Sequence, residues 1–224
     1  MARLLVYTRT TGYRHASIPA GIAALRGLDG YSVDATEDPA VFRPGPLRAY
    51  AAIVFLSTSG DVLDDAGREA LTGYVTAGGS WLGIHGASTT EYGWPWFGEL
   101  VGARFDQHPP VQSGVITVED KDHPATEQLG PTWTRRDEWY AFTDNPRPRV
   151  RVLLTVDEAS YEGGTMGADH PIAWCHERLG GRSFYSALGH TDESFAEPAF
   201  LGHLRGALSW LTQALRATAH LKAP

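Results

Sequence analysis

The apolar positions of this chain fall into short runs separated by polar loops, and their spacing changes character about halfway along. Leu4 to Tyr7, Ala51 to Leu56 and Ser80 to His85 are too short for helices and are bounded by polar or turn residues, which predicts the buried strands of a two-sided sheet. Tyr31 to Ala35 supplies a weaker strand. Between the first and second of these, Ser17 reads as a helix N-cap with Pro19 in the first turn, and Ile18, Ile22, Leu25 and Leu28 keep near-helical spacing. Asp64 and Asp65 open a second helix carrying Leu71, Tyr74 and Val75, closed by Gly78-Gly79 where a left-handed residue is wanted. Such alternation predicts right-handed βαβ crossovers and a doubly wound, mostly parallel sheet covered on both faces.

After about residue 110 the pattern turns to strands joined mainly by loops. Val115 to Val118, Trp139 to Phe142, Val150 to Thr155, Ile172 to His176 and Arg182 to Leu188 are expected to form a β-rich extension of the same sheet. A final helix from about Ala199 to Ala217 carries Phe200, Leu204, Leu208, Leu211 and Leu215 on one stripe. No repeat or linker divides the chain, so residues 1–224 are expected to form a single domain.

Composition narrows the partners. Lys and Arg number 19 against 26 Asp and Glu, a formal charge of −7 with no long block of one sign, which argues against nucleic acid and anionic membranes. The single cysteine, Cys175, cannot form an internal disulfide, and no apolar run is long enough to span a bilayer, so a cytoplasmic location is expected. A homodimer suits this class of domain, although the pattern marks no interface.

The candidate chemistry lies in loops after strands, where open α/β sheets bind ligands. His15 follows the first strand. His85 ends the strand Ser80 to His85 within Gly83-Ile84-His85-Gly86-Ala87, which has the small-residue packing of a nucleophile elbow but neither Ser nor Cys at its centre. His190 follows Arg182 to Leu188. Glu138 and Tyr140, on one face of a strand by alternation, pair a carboxylate with a phenol, a combination that suits sugar chemistry. His85, Glu138 and His190 are the expected catalytic residues. Gln107 and His108 on a proline-stiffened loop, with His15, Tyr140, His170 and Trp174, are expected to bind substrate, Trp174 as an aromatic platform for a sugar ring. Asp137 is read as equally suited to a structural pairing with Arg135 or Arg136. The sequence demands no cofactor. A set drawn from His15, His85, His108, Glu138 and His190 would nevertheless suit a divalent transition ion, provided the fold brings them together, because none carries a local ligand spacing.

Seven segments, in this order and spacing, make the chain resemble the ThuA-like (trehalose utilisation) family: Gly12-Tyr13-Arg14-His15, Gly78 to His85, Phe105-Asp106-Gln107-His108-Pro109, Asp122-His123-Pro124, Asp137-Glu138-Trp139-Tyr140, Pro171-Ile172-Ala173-Trp174 and Gly181 to His190. The resemblance implies the class I glutamine amidotransferase-like, flavodoxin-like fold, with His85 standing where an amidotransferase would hold its catalytic cysteine. Glutaminase activity is thereby disfavoured. It also implies carbohydrate metabolism alongside oxidoreductases that make 3-keto sugars. A ketone at C3 acidifies the C2 hydrogen, so a base such as His85 or Glu138 can form an enolate that expels the C1 substituent, with His190, Tyr140 or a metal opposite the enolate oxygen. The expected function is therefore proton abstraction from a keto-sugar or glycoside with elimination, hydration or isomerisation, without a covalent Cys or Ser nucleophile. The rival expectation is a non-catalytic carbohydrate-binding or accessory protein using the same cleft.

Overall fold

The computed structural model describes the backbone of residues 1–220 and the side chains of residues 1–213. In chain order its elements are β1 (Ala2–Tyr7), α1 (Ile18–Arg26), β2 (Tyr31–Thr36), α2 (Pro44–Leu47), β3 (Ala52–Leu56), α3 (Asp65–Thr76), β4 (Trp81–Ile84), α4 (Pro95–Val101), β5 (Phe105–Gln107), β6 (Gln112–Val118), β7 (Thr132–Asp137), β8 (Ala141–Phe142), β9 (Arg151–Asp157), β10 (Pro171–His176), β11 (Ser183–Ser186) and α5 (Pro198–His220). One nine-stranded sheet runs in the order β2-β1-β3-β4-β11-β10-β9-β6-β7. The strands from β2 to β11 are parallel, and those from β11 onward pair antiparallel. β5 and β8 form a separate two-stranded ribbon.

Burial follows from the unbroken apolar runs. Every residue of β3 and β4 is buried, as a strand covered on both faces requires. Phe55 packs against Phe97 of α4 and against Trp81 on one face. Its neighbour Leu56 points to the other, where a methyl on Gly21 of α1 would meet it at 2.9 Å and Phe195 at 3.0 Å. Phe200, Leu204, Leu208 and Leu211 of α5 are buried as their stripe predicts; the side chain of Leu215 lies outside the described residues.

Several local expectations need correction. Ser17 has helical backbone angles and makes no side-chain cap; its Oγ instead donates to Gly189 O at 3.3 Å, tying α1 to the loop after β11. Of the expected strand Trp139 to Phe142 only Ala141 and Phe142 are extended, as β8 in the separate ribbon; residues 138–140 are irregular, and the edge strand of the main sheet lies earlier, as β7. His85 sits just beyond β4, in a 3-10 turn.

Two histidines are buried without charge. His203 engages Ala125 O (2.9 Å) and Ser186 Oγ (3.2 Å), and its pKa is pushed down to about 4 by burial. His123 accepts from Ala125 N at 3.1 Å, and burial likewise pushes it down to about 4. Between pH 6.5 and pH 4 the unfolded chain therefore binds protons that the folded chain refuses, so stability is lost as pH falls through that window. Such a depression corresponds to roughly 3 kcal/mol per histidine. Calorimetry should show a lower Tm at pH 5 than at pH 7, with the difference reduced in His203→Gln.

Candidate active site

The parallel strands deliver three histidines to one place. His85 follows β4, His15 lies in the loop after β1, and His190 lies in the loop after β11. Their ring centroids stand 4.6 Å (His15–His85), 5.1 Å (His85–His190) and 5.3 Å (His15–His190) apart. This is the carboxyl end of the sheet, where crossover loops diverge and leave a crevice. The turn at His85 is strained: its φ is +50°, in the left-handed region that non-glycine residues seldom occupy. Tyr185 holds that turn by donating to His85 O at 2.8 Å. At Gly86 a methyl would come within 3.1 Å of His15 Cε1, so glycine lets the two histidines lie side by side.

Glu138 reaches the cluster from beyond β7. Its Oε2 lies 3.0 Å from His190 Nδ1 and 3.4 Å from His85 Nε2, and its Oε1 lies 3.0 Å from His108 Nδ1. His85 Nε2 and His190 Nδ1 are themselves 3.0 Å apart. The other nitrogen of His85, Nδ1, is 2.7 Å from Ala187 O. A carbonyl can only accept, so Nδ1 carries a proton there, and Nε2 is the nitrogen turned toward His190 and Glu138. Tyr140 packs over His85 with ring centroids 4.3 Å apart and brings its hydroxyl to 3.5 Å from His15 Nε2.

Burial and these contacts set the charges. Burial would raise the Glu138 carboxyl, but hydrogen bonds from His190 and His85 outweigh it and hold the group well below the usual carboxylate range. The same contact with Glu138 raises His190 above its ordinary value. Burial, reinforced by the neighbouring His85 and His190, pushes His15 down to about 3, so it is neutral. Burial also raises the Tyr140 phenol, which stays protonated and able to donate. A carboxylate of this kind is a weak base and a good partner for cations.

Asp137, buried, holds the arrangement from behind. Its oxygens accept from Gly189 N (2.9 Å), His190 N (3.1 Å) and Glu138 N (2.9 Å), fixing both strands' ends at once. Arg135 pairs with it at 3.0 Å and is sandwiched between the rings of Trp133 and Phe200. Gly189, at φ +112°, makes the turn that presents His190. Nothing in local sequence spacing marks this bracing role of Asp137; only the fold brings residues 137 and 189 together.

The structure thus gathers His15, His85, His108, Glu138, Tyr140 and His190. Gln107 lies beside them on β5, exposed and donating to Thr165 Oγ1 at 3.2 Å. Two expected binders lie elsewhere. Trp174 is fully buried, donates Nε1 to Val101 O at 2.7 Å and packs on Tyr185 and Phe142, so it has no face to offer a sugar. His170 is buried with both nitrogens engaged, Nε2 at 2.8 Å from Tyr140 O and Nδ1 at 2.8 Å from Glu158 Oε1, and so supports the Tyr140 backbone instead of meeting a ligand. Cys175, inside β10, is buried, and its thiol is pushed up to about 12 by that burial, which leaves no thiolate for amidotransferase chemistry.

Fold and site together define a mixed α/β domain with a buried histidine–carboxylate centre at the carboxyl ends of its parallel strands. The chain belongs to the ThuA family, described as trehalose utilisation, whose model matches residues 3–211. It is similar to a solved ThuA-like protein from Bacteroides uniformis (27% identity, TM-score 0.79, covering 94% of this chain and 91% of that one). A ThuA-like protein from Parabacteroides merdae superposes at TM-score 0.81 with 19% identity, over 95% of this chain and 90% of the other. The cytoplasmic protein STM1381 from Salmonella typhimurium LT2 shares the fold at TM-score 0.69 and 14% identity, over 94% of this chain and 99% of that one. No curated protein matches the chain. Among the described residues no helix is long and apolar enough to cross a membrane.

Proposed function

We propose that this protein is an enzyme of carbohydrate metabolism, working in the cytoplasm, that abstracts the C2 proton of a 3-keto-sugar or 3-keto-glycoside and so promotes elimination, hydration or isomerisation. The observation that carries the reading is the dyad of His108 and Glu138 at the edge of the buried cluster. His108 is the most exposed imidazole of the group, 38% accessible, and its Nδ1 lies 3.0 Å from Glu138 Oε1. A carboxylate that accepts the Nδ1–H hydrogen bond leaves Nε2 free as a base on the open side, the arrangement by which acids orient catalytic histidines. His85 has no exposed surface and Glu138 is a weak base, so neither suits proton abstraction; they position His190 and His108 instead.

In this reaction His108 Nε2 takes the C2 proton. The C–H electron pair becomes the C2=C3 bond of an enolate, whose oxygen is met by the Tyr140 hydroxyl and the His190 ring, whose pKa the neighbouring Glu138 raises. Collapse of the enolate breaks the C1–O bond, and the His108 imidazolium returns its proton to the departing oxygen. No covalent enzyme intermediate is needed, in keeping with a histidine at the elbow and a buried cysteine. The order β2-β1-β3-β4-β11 follows the 2-1-3-4-5 order of flavodoxin-like sheets, which supports the expected kinship with amidotransferases.

Incubation with a panel of 3-keto-glucosides, followed by mass spectrometry of the products, should show release of the C1 substituent. His108→Ala should lower that rate by about 10²- to 10⁴-fold. Saturable binding of these sugars with no chemical change on long incubation would instead make the protein a carbohydrate-binding accessory.

A further inference from the structure

We infer that His85, His190, Glu138 and His15 form a binding site for one divalent transition-metal ion. Donor atoms of the four all lie within 4.8 Å of one another. Three of them make a tight triangle: His85 Nε2 to His190 Nδ1 3.0 Å, His190 Nδ1 to Glu138 Oε2 3.0 Å, and His85 Nε2 to Glu138 Oε2 3.4 Å. Ligands about 2.0–2.1 Å from one tetrahedral ion stand about 3.3 Å apart, so the edges of this triangle are those of a shared coordination sphere.

Proton accounting favours the same conclusion. The Nδ1 proton of His85 is committed to Ala187 O, so Nε2 is the nitrogen left to face a ligand. Three nitrogen and oxygen donors face one another across 3.0–3.4 Å, and one proton on His190 Nδ1 cannot serve both His85 Nε2 and Glu138 Oε2. The third histidine leaves a buried nitrogen, His15 Nδ1, with no hydrogen-bond partner. Buried polar atoms are rarely left so. An ion at the centre of the triangle satisfies all three donors at once.

The supports resemble those that metal ligands need. A ligating histidine is ordinarily oriented by a hydrogen bond from its other ring nitrogen, as Ala187 O orients His85. Glu138 is held on its far oxygen by His108, and Asp137 fixes the backbone of both Glu138 and His190. Three imidazoles and one carboxylate suit Mn²⁺, Fe²⁺, Co²⁺, Ni²⁺ or Zn²⁺ and disfavour Mg²⁺ and Ca²⁺, which take oxygen donors. Of the four, His190 alone is partly exposed, so the site opens toward the crevice on that side. The site stands on ligand geometry alone. Its use in catalysis, as Lewis acid for the keto oxygen, rests on the reading of the preceding subsection.

The test uses untagged protein stripped with a chelator and titrated separately with Mn²⁺, Co²⁺, Ni²⁺ and Zn²⁺, with bound metal measured by mass spectrometry after gel filtration. One equivalent per chain is expected for at least one ion, together with a visible Co²⁺ spectrum typical of nitrogen ligands and a rise in Tm. His190→Ala and Glu138→Gln, each confirmed as folded by its metal-free melting curve, should lower affinity at least 100-fold and abolish the Tm rise. Absence of stoichiometric uptake of all four ions, or undiminished uptake in both variants, overturns the site. Uptake by a protein that turns over no keto-sugar leaves this inference standing and removes the functional reading; turnover without uptake does the reverse.

Discussion

His85→Ala is expected to lower turnover of a 3-keto-glucoside by at least about 10³-fold while leaving the chain folded. The ring contributes to the reaction in two ways: its Nε2 faces His190 Nδ1 at 3.0 Å, and its face supports Tyr140 at 4.3 Å between centroids. Removing it leaves His190 and Tyr140 without the ring that positions them, and groups that act as a unit fail together. The stability cost is smaller. One buried hydrogen bond to Ala187 O is lost, about 1–3 kcal/mol, and the positive φ remains equally unfavourable for alanine. Circular dichroism and a melting curve alongside the kinetics separate the two effects. Wild-type turnover in a folded His85→Ala protein would remove the histidine from the chemistry.

The largest stability effect is expected at Asp137→Ala. Arg135 is buried between Trp133 and Phe200, and two of its guanidinium nitrogens already lack hydrogen-bond partners. Deleting Asp137 leaves that charge with only Glu197, 3.4 Å from its Nη1 and partly exposed, as an ion-pair partner, and also leaves Gly189 N and His190 N without an acceptor. Breaking a buried pair in this way costs about 3–5 kcal/mol, which for a chain of this size lowers Tm by roughly 6–20 °C. The double variant Arg135→Met/Asp137→Ala should be markedly less destabilised than the sum of the single changes, because the buried guanidinium that Asp137 neutralises is removed with it. Additive losses in urea unfolding would mean that the two residues do not act as a pair.

Those two residues also show where the sequence misleads. In β7, Trp133, Arg135 and Asp137 point inward while Thr132, Thr134 and Arg136 point out. The strand alternation is intact, but two of the three inward positions are charged, so a search for alternating apolar residues passes over it and settles on the aromatic run from Trp139. That aromatic run bends away from strand geometry to bring Glu138 and Tyr140 to the site. By contrast β1, β3 and β4 are legible because burial on both faces demands unbroken apolar runs, and the turn after β4 is legible because glycines flank His85. His85 and His190 stand out as residues just past strand ends. The convergence of Glu138 with them depends on the far edge strand returning over β11, which no local spacing encodes. Trp174 and His170 carry the residue types of a sugar site, yet tertiary packing spends them on the core and on the backbone of Tyr140.

Exchange of solvent deuterium into C2 of a 3-keto-glucoside, followed by NMR in D₂O, tests the central claim most directly because it reports proton abstraction before any bond to C1 breaks. Wild-type protein should catalyse exchange, and both His85→Ala and His108→Ala should reduce it by at least about 100-fold. Turnover of the keto-sugar with no C2 exchange in recovered substrate or product, or exchange undiminished in both variants, would contradict the account.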